Sequence, residues 1–120
     1  MKGIILTLTA MILFMVFAPF GILWQVFTNL RGVNNYFFDI AISIDQSGNV
    51  VCGKLLDMVM RKRDGHPFSN PDETISSCIG KNHRSNTLTW CGKVLHYLLN
   101  KIENDHSEKA IEEDEMRKIL

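Results

Sequence analysis

The longest feature of the hydrophobic pattern is an uncharged run near the N-terminus, from Gly3 to Leu30. A helix rises about 1.5 Å per residue, so these 28 positions exceed the roughly 30 Å thickness of a bilayer's hydrocarbon layer. A protein of 120 residues has too little surface to bury such a helix on all sides. The run therefore predicts a transmembrane helix, and Pro19 inside it is a residue that membrane spans tolerate.

A cleaved signal peptide is the alternative interpretation of this run. Its apolar region would hold about 7 to 15 residues, roughly half of what this chain has. The best small-residue cleavage site, after Ala18, would be followed directly by Pro19. We therefore predict an uncleaved anchor over residues 1–31 and a polar domain over residues 32–120. Lys2 and Arg31 balance across the span, and the more distant basic residues 61–63 favour a cytoplasmic domain.

Residues 37–52 fit two kinds of secondary structure. Phe37, Ile40 and Ile44 fall at helical spacing. The alternation of Ile40, Ile42 and Ile44 with polar residues is instead typical of a strand, and residues 45–49 would then form the turn of a hairpin. We favour the helix because the return strand, residues 50–52, would be very short.

Turn and cap residues divide the following segment. Residues 61–70 contain the strongest turn chemistry in the chain and predict a flexible loop. Asn70 can cap a helix that has Pro71 at its first position. Gly80 predicts the left-handed end of this helix just after Ile79.

The C-terminal part of the chain has the clearest helical periodicity. Between residues 87 and 103, apolar residues repeat at intervals of three and four, which predicts an amphipathic helix and the main core of the domain. A last helix begins near Asp105, where Asp105 and Glu108 have capping-box spacing. The predicted fold is mostly α: one N-terminal transmembrane helix followed by a small helical domain.

The charge balance and the cysteine content indicate which partners and which compartment to expect. Thirteen basic residues balance thirteen acidic ones, so no overall field favours nucleic acid, and we expect no nucleic-acid partner. Cys52, Cys78 and Cys91 are an odd number of widely spaced thiols, which argues against a disulfide framework and favours a reducing compartment.

Cysteine and histidine offer the only pattern suggestive of chemistry. Cys78 with His83, and Cys91 with His96, repeat a Cys-x4-His spacing with ligand types that zinc favours. Five positions along a helix turn two side chains about 140° apart, so we expect no metal site and no cofactor. Cys78 could also act as a nucleophile beside His83 or His66, but no motif frames it, and we expect no enzyme.

The basic residues of the polar domain suggest a lipid partner. Arg61, Lys62 and Arg63 are consecutive, and further basic residues follow at Lys81, Arg84 and Lys93. Such a surface suits anionic lipid headgroups near a membrane anchor, so the lipid bilayer is one expected partner. A scattered, solvated face is the alternative.

Several short segments between Asp45 and Glu112 form a distinctive set. They are Asp45-Gln46, Asn49-Val50, Pro71-Asp72-Glu73-Thr74-Ile75-Ser76-Ser77, Gly80, the stretch from Trp90 to Leu99, and His106 with Lys109-Ala110-Ile111-Glu112. In these segments the chain resembles a group of small tailed-phage and prophage proteins to which we assign no activity. The resemblance implies a phage-derived accessory protein, a helix over residues 36–51 and a cytoplasmic domain.

The leading functional hypothesis is a single-pass protein of the bacterial inner membrane that acts as an interaction or adaptor module for an unknown protein partner. The residues expected to bind are Asp72, Glu73, Thr74, Ser76, Arg61, Lys62, Arg63 and His106. Ordinary helix capping is the alternative role for residues 72–74. Two other functions are a holin-like lysis protein, whose apolar helix would oligomerise, and a small enzyme that uses Cys78 and a histidine.

Overall fold

The computed structural model describes residues 1–119 and is mostly helical over that range. Its elements, in chain order, are α1 (Lys2–Thr28), a short 3-10 helix (Leu30–Gly32), α2 (Val33–Met60), α3 (Ile75–Arg84), α4 (Trp90–Ile102) and α5 (His106–Ile119). The prediction of a mostly α fold with a long N-terminal apolar helix is confirmed. Residues 37–52 belong to α2, so the helix is right and the hairpin is not formed.

The chain divides into two compact units, Met1–Asp39 and the residues from Ile40 onward. The boundary falls within α2 and not at residue 31. The predicted division concerns which residues lie in a membrane: an anchor of residues 1–31 and a domain of residues 32–120. It stays a prediction.

Helix α1 has the length and composition of a membrane span, and none of its residues is buried. Its three threonine side chains form hydrogen bonds within the helix. The hydroxyls of Thr7, Thr9 and Thr28 each donate to the carbonyl oxygen four residues earlier, at distances of 2.8, 2.8 and 2.6 Å. Such bonding lets a hydroxyl enter an apolar medium without an unpaired donor.

The core of the second unit lies around α3, which packs against both α4 and α5. Phe68, Cys78, Ile79 and Leu88 are buried together. Partly buried side chains pack around them; these are Leu56, Met60, Ile75, Leu95 and Leu99. Two of the four buried residues, Phe68 and Leu88, come from connecting segments, so the loops are part of the core.

The position of α3 corrects the predicted helix start and stop. Asn70 caps a turn, accepting from the N–H of Asp72, and the helix begins only at Ile75 with Thr74 as its N-cap. Gly80 lies inside α3 and not at its end. A Cβ at this position would lie 2.5 Å from the carbonyl oxygen of Ser107, so the residue is small because α5 passes close by.

The predicted role of residues 87–103 as the main core of the domain is also corrected. Helix α4 begins at Trp90, capped by Thr89, whose hydroxyl accepts from the N–H of Gly92 at 3.2 Å. Within α4 only Gly92 is buried. Its periodic apolar residues therefore divide between a face that packs on the core, with Leu95 and Leu99, and a face that is exposed.

The close approach of α3 and α5 gives a test of the fold. We expect Gly80→Ala to lower the free energy of unfolding by about 1 to 3 kcal/mol, because the added methyl meets backbone atoms that cannot move aside. Gly48→Ala is the matched control, since its Cβ would meet only the flexible Cδ1 of Ile75 at 3.3 Å. Urea unfolding of the full chain in detergent measures both. Equal stability of the two variants would contradict the packing.

Candidate functional site

The first turn of α3 is held by acceptors from three parts of the chain. The hydroxyl of Thr74 accepts from the N–H of Ser77 at 3.0 Å. The carboxylate of Asp45, on α2, accepts from the N–H of Ile75 at 2.9 Å and from the hydroxyl of Ser76 at 2.9 Å. The carboxylate of Asp114, on α5, accepts from the N–H of Thr74 at 2.9 Å. Two carboxylates thus face the positive end of the helix dipole.

Asn49 fixes the loop that precedes α3. Its side chain is fully buried on α2. Its amide nitrogen donates to the carbonyl oxygens of Asn70 and Glu73, both at 3.0 Å, and its side-chain oxygen accepts from the N–H of Ser69 at 3.1 Å. The amide thus supplies a partner for the buried carbonyl of Glu73 and ties the partly buried backbone of residues 69 and 70 to α2.

Glu73, immediately before this helix, is the centre of a buried polar cluster. Its Oε2 lies 2.7 Å from Nε2 of His66 and 3.2 Å from Sγ of Cys78. Its Oε1 accepts from Nζ of Lys81 at 3.1 Å, and Nζ of Lys118 lies 3.6 Å away. The two carboxylate oxygens therefore face different chemistry: an imidazole and a thiol on one side, and two ammonium groups on the other.

The environment shifts the pKa values of this cluster in opposite directions. Burial alone would raise the pKa of Glu73, but hydrogen bonds from His66, Cys78 and Lys81 outweigh it and lower the pKa to about 2. Burial raises the pKa of Cys78 well above its ordinary value, and the neighbouring Glu73 carboxylate raises it further. At neutral pH Glu73 is ionised and Cys78 is a protonated thiol.

This cluster favours ligand binding over nucleophilic chemistry. A nucleophilic cysteine needs a thiolate and a base that takes its proton. Cys78 instead donates to a carboxylate that is a very weak base, and its side chain is fully buried. The donor atoms of His66, Glu73 and Cys78 all lie within 4.8 Å of one another, which is the spacing of a set that could hold a metal ion.

The predicted binding residues 72–76 are placed mostly in the interior. Asp72 is exposed, whereas Glu73, Thr74 and Ser76 are buried. His106 joins the same region from the start of α5, with its Nε2 3.2 Å from the hydroxyl of Ser76. The structure therefore brings Ser76 and His106 together. Thr74 and Ser76 also form hydrogen bonds that stabilise the start of α3.

The predicted basic triplet is split between two roles. The guanidinium of Arg61 donates to Asp57 at 2.7 Å and to three backbone carbonyls of the following turn, those of residues 62, 63 and 65. Lys62 and Arg63 are exposed. Arg61 thus stabilises the turn of residues 62–65, and of the three basic side chains only those of Lys62 and Arg63 are exposed to a partner.

The two Cys-x4-His spacings of the sequence do not bring their residues into contact. Cys78 faces Glu73, while the ring of His83 stacks on that of His96 with the ring centroids 3.9 Å apart. Cys91 is exposed on α4.

An apolar face of α4 is exposed. Trp90, Val94, Leu98 and Ile102 follow one another at intervals of four, with Tyr97 beside them. Trp90 is 77% exposed and Ile102 is 84% exposed. The only charged residues of α4 are basic; these are Lys93 and Lys101. A contiguous apolar face of this kind on a folded domain is typical of an interaction surface.

Comparisons of this chain with protein-family models, with curated proteins and with solved structures give no match.

The sequence reasoning missed most of the residues that build the cluster. Asn49, Asp45 and Asp114 each act across more than twenty positions of the chain, and Lys81 was considered only as a surface charge. His66 was paired with Cys78 only as a conceivable base. An asparagine and an aspartate inside apolar helical patterns were the available signal, because buried polar residues need specific partners.

Asp57, which is partly buried, is a second anchor of the loop. Its Oδ1 accepts from the N–H of Phe68 at 2.9 Å and from Nε of Arg61 at 2.7 Å. Burial would raise the pKa of Asp57, but the hydrogen bonds from Arg61 and Phe68 outweigh it, and the pKa lies below its ordinary value. The carboxylate therefore stabilises the fold above the pKa of the unfolded chain, and this contribution is lost as the pH falls through the folded pKa.

We expect Asp57→Asn to cost roughly 1 kcal/mol of stability at neutral pH, since the neutral amide cannot form the ion pair with Arg61. The difference from the parent chain should shrink as the pH is lowered below the ordinary pKa of 3.8 and through the lower pKa of the folded chain, because the parent's carboxyl becomes protonated. Urea unfolding across that range measures it. Asp64→Asn, at an exposed position, should match the parent throughout. A difference that does not change with pH would contradict the assignment.

Proposed function

We propose that this chain is a single-pass membrane protein whose helical domain binds a protein partner, an adaptor held at the bacterial inner membrane. The observation that carries the proposal is α1, which is long and apolar enough to cross a bilayer and has no buried residue. By length and composition the helix also fits a signal sequence. The length of the apolar run, about twice the usual, supports the uncleaved anchor.

The exposed face of α4 supports the interaction role. Its five large side chains leave an apolar surface that a partner would cover, and aromatic residues such as Trp90 and Tyr97 are typical of interface centres. Lys93 and Lys101 lie on the same helix without an acidic neighbour in it. We therefore propose a partner protein with an apolar patch bordered by acidic groups.

A membrane surface is the less favoured occupant of this face. Recognition of anionic lipid by charge uses clusters of about four to eight basic residues. Helix α4 offers two, and Arg61 is withdrawn from the basic triplet by its own hydrogen bonds. The bilayer therefore remains the partner of α1 in this proposal.

The phage or prophage origin and the cytoplasmic position of the domain are parts of the same proposal. The segments of residues 45–50, 71–77 and 106–112 support them through their resemblance to small phage proteins. A holin-like function is the alternative that the folded unit behind α1 argues against, because a lysis tail needs no packed core around α3.

Thiol labelling tests the anchor and its orientation. Cys52 and Cys91 are exposed and Cys78 is buried, so the chain carries two reporters and one burial control. We expect a membrane-impermeant maleimide to leave all three unlabelled on spheroplasts. Permeabilisation should expose Cys52 and Cys91, and Cys78 should react only after denaturation. Labelling of Cys91 on intact spheroplasts would place the domain outside and contradict the proposal, as would recovery of the chain in the soluble fraction.

A photoreactive residue at position 102 tests the surface. We expect a discrete adduct with another protein, absent when the probe is moved to exposed Glu112 on α5 and when Val94→Lys interrupts the apolar face. An adduct of twice the chain's mass, or one with phospholipid, would overturn the proposed partner class. Growth and membrane potential should be unchanged on expression, whereas an abrupt loss of potential would favour the holin-like function.

A further inference from the structure

The strongest unexplained feature is the buried meeting of an imidazole, a carboxylate and a thiol around Oε2 of Glu73. His66 comes from the loop after α2, Glu73 from the segment before α3, and Cys78 from α3 itself. Three donor types, nitrogen, oxygen and sulfur, converge with a mutual separation of at most 4.8 Å. From these positions we propose that His66, Glu73 and Cys78 form a binding site for a divalent transition-metal ion of the zinc class.

The donor set fits such an ion. Zinc binds histidine nitrogen and carboxylate oxygen at about 2.0 to 2.2 Å and thiolate sulfur at about 2.3 Å. Ligands of a tetrahedral ion therefore lie roughly 3.3 to 3.8 Å apart. The Oε2 atom of Glu73 is 2.7 Å from Nε2 of His66 and 3.2 Å from Sγ of Cys78, so these two pairs of donors need to separate by only about half an ångström.

Proton and charge balance also permit binding. Without metal, the thiol of Cys78 and Nε2–H of His66 each donate a hydrogen bond to Oε2 of the ionised Glu73. When the ion binds, the thiol proton leaves to solvent. The imidazole exchanges its Nε2 proton with solvent for one on Nδ1, so that neutral His66 binds through Nε2. One thiolate and one carboxylate then neutralise the two charges of the ion.

The surrounding groups suit the role of outer-shell partners. Lys81 and Lys118 lie near Oε1 of Glu73, which orients the carboxylate and leaves Oε2 facing the other two donors. The amide nitrogen of Asn49, which donates to two backbone carbonyls, also lies 3.7 Å from Sγ of Cys78 and places the positive end of the amide dipole near a thiolate there. His66 is partly exposed, which gives an ion a path from solvent, and solvent can complete the coordination.

Cobalt(II) is the probe for this site, because thiolate-to-cobalt charge transfer gives an absorption band in the near ultraviolet. The full chain is used in detergent and kept reduced with a phosphine. We expect a band that saturates at one ion per chain and is removed by competing zinc. The band should persist in the double variant Cys52→Ser, Cys91→Ser and disappear in Cys78→Ser.

His66→Ala provides the variant that leaves the buried residues in place. We expect it to weaken cobalt binding by at least about tenfold, as loss of a ligand requires, while far-ultraviolet circular dichroism stays unchanged. His83→Ala is the matched control at an exposed histidine and should bind as the parent does. No band in the Cys52→Ser, Cys91→Ser chain, a band that survives Cys78→Ser, or equal binding in the two histidine variants would overturn the site.

Discussion

The folded unit depends on satisfying the first turn of α3 in the interior of the protein. The N–H groups at a helix start have no partners within the helix, and burying them without acceptors would cost several kcal/mol in total. Asp45 from α2 and Asp114 from α5 supply carboxylates, and Thr74 supplies the local cap. Because each acceptor comes from a different element, the start of α3 fixes the positions of α2 and α5 at the same time.

Glu73 acquires its surroundings from the same constraint. Once Thr74 is fixed as the cap, the preceding side chain has to enter the interior, where it meets His66, Cys78 and Lys81. An ionised carboxylate in that place is stable only with partners on both oxygens. The cluster is therefore a consequence of how the helix begins, and it also holds three metal-binding donor types together.

The sequence predicted the helical class, the long apolar segment and the helical state of residues 37–52, because these follow from local periodicity and from the absence of charge. It placed Gly80 at a helix end and treated residues 87–103 as the core. Both errors arise because contacts between distant parts of the chain decide these features. Gly80 is small because Ser107 on α5 lies close to it, and the buried Phe68 lies in a segment with no periodicity. The cluster around Glu73 was not predictable for the same reason, since its contacts join positions far apart in the chain.

The contrast between the buried polar residues 73–76 and the exposed apolar face of α4 indicates where each kind of ligand can bind. Residues 73–76 are used internally, whereas α4 leaves Trp90, Leu98 and Ile102 exposed at regular spacing. A residue buried in a hydrogen-bonded network is available to an ion or small ligand but not to a protein surface, while an apolar face without an internal partner is available to a protein. The proposed metal site at Glu73 and the proposed protein-binding face of α4 therefore occupy different parts of one small domain, and α3 contacts both α4 and, through Asn82, the loop of His66.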